Sequence, residues 1–91
     1  MLPEPLATQL RQYGITNLEE VALREALERH TETYTLVRLA PRPARRWKCR
    51  YRLLMSDTMY DAQTAPEAYA LGLLAVLQKT TDPVDSNLSP H

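Results

Sequence analysis

The chain has 91 residues, with seven Pro, two Gly, one Cys and no Phe, and 44% of its side chains are hydrophobic and 24% charged. That length suits one small domain, and the composition excludes collagen-like, disordered and disulfide-rich classes as descriptions of the whole. Eleven basic and eleven acidic residues cancel, but unevenly: residues 1–32 carry −3, residues 33–54 carry +7 without one acid, and residues 55–91 carry −4.

In chain order, Leu6, Leu10 and Tyr13 lie on one helical stripe and Gly14 follows where a left-handed residue ends a helix, so a first helix is predicted over residues 5–13. Thr16 with Glu19, or Asn17 with Glu20, offers a capping box. A second, amphipathic helix is therefore predicted over residues 18–30, its apolar stripe made by Leu18, Val21, Ala22, Leu23, Ala26 and Leu27. The segment after Thr31 is rich in β-branched and aromatic residues, which predicts a strand over 33–40.

Pro41 and Pro43 lack amide donors and read as a loop. A second strand is predicted over 46–55, because Trp47, Cys49, Tyr51, Leu53 and Met55 alternate with Lys48, Arg50, Arg52 and Leu54. That is the period of a strand with one buried and one wet face, and it sets the wet face as cationic. Ser56-Asp57 signals a turn into a third strand over 58–63. Thr64 with Glu67 forms another capping box ahead of a final helix over 65–79. Residues 68–77 are apolar almost all round, which predicts deep burial of that helix, while residues 80–91 read as a polar tail.

The expected architecture is thus an α+β domain of order α-α-β-β-β-α over residues 1–79, a three-stranded antiparallel meander with its helices on one face. From Leu18 onward this order resembles the layout of the double-stranded-RNA-binding domain, with residues 62–68 standing where that family turns into its last helix. The chain departs from the family where it has a Lys-rich helix start, holding Ala65, Pro66 and Glu67 instead, and it lacks the glycines usual in the family's third strand. The resemblance inclines the nucleic-acid reading toward RNA.

The strongest functional lead is the cationic segment. Arg38, Arg42, Arg45, Arg46, Lys48, Arg50 and Arg52 are candidates to contact phosphates, since side chains two apart on a strand stand about 7 Å apart, near the spacing of successive phosphates. Tyr34 and Tyr60 are candidates to stack on bases. Two other readings fit the same residues: docking on an acidic protein surface, and a solvated face that opposes aggregation. Tyr69, Leu73 and Val76, if exposed, would form an oligomer interface, and a homodimer would help so small a core.

Enzymatic chemistry has little support. Cys49 stands among apolar residues on the expected buried face with no histidine that can be argued to reach it, and Asp57 and Asp61 are explained by a turn and an outward strand position. The sequence shows no zinc or calcium spacing, so no metal or other cofactor is expected. The longest uncharged apolar run is ten residues, short of the roughly 20 that span a bilayer. With neither a secretory signal pattern nor a possible intrachain disulfide, the expected compartment is the cytoplasm.

Overall fold

Pro5 lies in the first turn of a helix, where amides have no intrahelical partner, and α1 runs over Glu4–Gln12. It ends as the sequence predicts. Gly14 has φ +89°, its amide donates to the Arg11 carbonyl at 2.9 Å, and the Ile15 amide donates to the Leu10 carbonyl at 3.0 Å. These are the two bonds of a Schellman motif. The computed structural model describes residues 2–39, 49–56 and 58–81. Among them the order continues with α2 (Glu20–His30), β1 (Thr35–Arg38), β2 (Tyr51–Met55), β3 (Thr58–Ala62) and α3 (Ala65–Thr81). The protein is a small α+β domain of the expected order.

α2 begins two residues later than predicted. The Asn17 side chain accepts from the Glu19 amide at 3.1 Å, a local turn that holds the chain extended at Glu19, and no side chain caps the helix. Leu23, Ala26 and Leu27 are buried while Val21 is exposed, so the packed stripe is narrower than the sequence suggests. α3 starts on its predicted capping box: the Glu67 amide donates to Thr64 Oγ1 at 3.2 Å, and Glu67 Oε1 accepts from the Gln63 amide at 3.2 Å. The helix runs to Thr81, two residues past the expected end, and the expected polar tail lies outside the described residues from Asp82 onward.

The sheet has the order β1-β2-β3, antiparallel throughout. Met55 pairs with Thr58, leaving two residues in the β2–β3 turn, and Ser56 takes φ +47° there, as the tightest hairpins require. β1 is shorter than predicted because its pairing starts where Thr35 meets Leu54, beside that turn. Leu53 and Met55 of β2 are buried against α2 and α3 together with Leu23, Leu27, Leu73 and Leu77. Each such side chain contributes about 1.5–3 kcal/mol by leaving water. Gly72 lets α3 approach β2: a Cβ there would lie 2.4 Å from Leu53 Cδ2 and 2.9 Å from Met55 Sδ.

Candidate basic hairpin end

The start of β2 departs from the alternation predicted for residues 46–55. Tyr51 is the register partner of Ala62, yet the Arg50 amide also donates to the Ala62 carbonyl, at 2.9 Å. Two successive residues therefore oppose one, which is a β-bulge, and the side-chain alternation slips by one residue at that point. The expected continuous cationic face does not form across it. Arg50 stands exposed at the bulge, and Cys49, expected in the core, is half-buried with its thiol beside Arg52 and Asp61.

Arg52 lies directly across from Asp61 on β3. Arg52 Nε donates to Asp61 Oδ1 at 2.7 Å and Nη2 to Oδ2 at 3.3 Å, a two-point pair of the kind that fixes guanidinium geometry. The hydrogen bond from Arg52 holds the Asp61 carboxyl below the usual carboxylate range, and the same bond pushes the Arg52 guanidinium still higher. Arg52 is thus a committed cation. Its pairing follows from the register of the hairpin, since Met55 opposite Thr58 sets Arg52 against Asp61.

Arg38 and Arg50 are arranged differently. The Leu39 amide donates to the Arg50 carbonyl at 2.8 Å, which closes the β1–β2 hairpin and holds both arginines at one end of the sheet. Both are exposed, and neither has an ion pair among the described residues. Arg42, Arg45, Arg46 and Lys48 belong to the segment that leaves and re-enters at this hydrogen bond, and they lie outside the described residues. Half-buried Tyr51 pairs with Arg38, which places an aromatic ring at the basic end. As the strand period predicts, Tyr51 shares the side of Leu53 and Met55 and packs against the core.

The two tyrosines expected to stack stand elsewhere. Tyr34 donates its hydroxyl to Glu28 Oε2 at 2.5 Å and meets the Tyr69 ring edge-on at 6.1 Å. Burial, then the Glu28 hydrogen bond, drives its hydroxyl far above the ordinary tyrosine range. Tyr60 pairs with Leu53, on the helix-covered side, and lines a groove of about 370 Å³ with His30, Thr58, Val76 and Lys79. The expected oligomer residues are also used within the monomer: Tyr69 is 7% exposed and Leu73 fully buried, with Val76 half-buried. Helix α3 packs on its own sheet and on α2, which is why two of the three are unavailable at the surface.

The opposite end of the sheet holds one acid in its groove. Residues 31–35, Glu32 included, line an open groove with Leu54 and Ser56, beside the β2–β3 turn. Tyr51 to Met55 is four steps of about 3.3 Å, so roughly 13 Å of sheet separates the two ends. Among the described residues no group of three or more His, Cys, Asp or Glu is placed to hold a metal ion, and no helix is long and apolar enough to cross a membrane. Compared with protein-family models, curated proteins and solved structures, the chain matches none.

Proposed function

We propose that this protein is a small non-enzymatic binding protein whose β1–β2 hairpin end contacts an anionic partner, and that the partner is nucleic acid, RNA before DNA. The observation that carries the reading is the Leu39–Arg50 hydrogen bond. It holds exposed Arg38 and Arg50 together at the two ends of a segment with four further cations and no acid. Glu32 stands at the other end of the sheet, and the carboxylate nearest along the strands, Asp61, is already answered by Arg52. Arg38 and Arg50 supply phosphate contacts, which position without reading sequence. The preference for RNA rests on the element order alone.

Fluorescence anisotropy of labelled single-stranded RNA, double-stranded RNA and double-stranded DNA, at about 50 and 200 mM salt, tests this. Affinity is expected to fall steeply with salt. In the double variant Arg38→Gln/Arg50→Gln the salt slope on single strands should flatten by about 0.7 for each phosphate that the protein ceases to neutralise. Absence of binding to all three at the lower salt overturns the reading and leaves an acidic protein surface as the partner to seek.

A further inference from the structure

The sheet has a second face that α2 and α3 do not cover. Its side chains follow from the register: one row is Thr35, Leu54 and Met59, and the next is Val37, Arg52 and Asp61. Leu54 is 38% and Met59 54% exposed, and they are neighbours across β2 and β3. Single exposed apolar residues are ordinary; these two adjoin on a sheet face that α2 and α3 leave open, which makes the face a candidate for association. We propose that this face binds a second copy of the same chain, sheet against sheet.

Charge decides between occupants. The one acid and one base of these rows are already paired at 2.7 Å, so the face offers no free cation to an anionic partner and no free acid to a basic one. A copy of itself is complementary. In an isologous contact residue i of one protomer meets residue j of the other and the reverse, so Leu54 and Met59 meet an apolar row while Arg52 of each protomer approaches Asp61 of its mate. Four alternating charges then replace two isolated pairs. Packed sheets lie about 10 Å apart.

Size sets the strength. Three strands at about 4.8 Å spacing and five residues at about 3.3 Å give a face of roughly 14 by 17 Å, well under the roughly 800 Å² per partner of a standard interface. The dimer is therefore weak and depends on concentration. Sedimentation equilibrium of nuclease-treated protein from about 10 µM to about 1 mM covers the range in which such association shows. The mass should rise toward that of two chains, and Met59→Glu and Leu54→Glu should each hold it at one chain. Arg52→Glu, which sets two acids side by side, should weaken association at least tenfold, and Arg52→Glu/Asp61→Arg should restore it.

Wild-type protein that stays monomeric at the highest concentration overturns the proposal, as does association that survives Met59→Glu, a change at an exposed edge-strand position that keeps the measurement decisive if Leu54→Glu does not fold. Failure of the charge swap to restore association overturns the crossed pairing. Arg38→Gln/Arg50→Gln should dimerise like the wild type, which separates this result from any weakening of anion binding.

Discussion

The two ends of the sheet treat polar groups in opposite ways. Beside the β2–β3 turn, Tyr34 is bound to Glu28 and packed on Tyr69. Half-buried Arg24 acts on both tyrosines, its Nε enclosed without an acceptor among the described residues. At the β1–β2 end, Arg38 and Arg50 carry charge that nothing among the described residues neutralises. Arg52, one step in from that end, already answers Asp61. A count of cations along the chain treats Arg38, Arg50 and Arg52 alike; the fold separates the two that are available from the one that is used.

The contrast can be broken most severely from the core. Gly72→Ala forces Leu53 and Met55 aside, which should cost about 1–3 kcal/mol, offset by up to about 1 kcal/mol of helix propensity. Urea unfolding measures the balance, and an unchanged midpoint would mean that α3 can lift from β2 freely. Tyr34→Phe should come next, losing about 1–2 kcal/mol for a hydrogen bond to a charged acceptor. It should also change the alkaline limb. A hydroxyl whose folded pKa is raised contributes stability that is present below the ordinary tyrosine pKa of about 10 and is lost as pH rises above it. Thermal melts from neutral pH upward should therefore fall more steeply for the wild type than for Tyr34→Phe.

Asp61→Asn should cost less, about 0.2–1 kcal/mol for a solvent-accessible pair. Its effect has the opposite pH sense. Because Arg52 lowers the folded pKa of Asp61, the contribution is present above the ordinary carboxylate range and disappears as pH falls through the folded value; wild type and variant melts should converge in acid. Smallest in stability is Arg38→Gln/Arg50→Gln, expected within about 0.5 kcal/mol of the wild type although it removes the two charges that would face phosphates. A large drop in stability in that variant would show that the two arginines support the fold instead of facing a partner.

Local chemistry made most of the fold legible. Gly14 ends α1 with a Schellman motif and Thr64 with Glu67 starts α3, as short-range patterns predict, and the alternation of Tyr51, Leu53 and Met55 gave the buried side of β2. Two features were not legible. At residues 16–20 the Asn17 side chain turns back on the Glu19 amide instead of capping α2, a choice that the capping-box pattern leaves open. The bulge at Arg50 has no sequence mark, for no glycine stands near it, so the alternation appeared to run on through Cys49. The open sheet face was visible as a set of residues, but Met59 joined Leu54 on it only once the β2–β3 register was known.

The hydrogen bond between Leu39 and Arg50 also bears on how the chain tolerates a change of length. Among the described residues it is the last bond between the first two strands, and ten residues stand between its partners in the sequence. Chain-closure entropy grows only with the logarithm of length, so doubling such a stretch costs about 0.6 kcal/mol. By closure entropy alone, a change of length between Leu39 and Arg50 therefore costs little of the stability of the sheet that this bond joins.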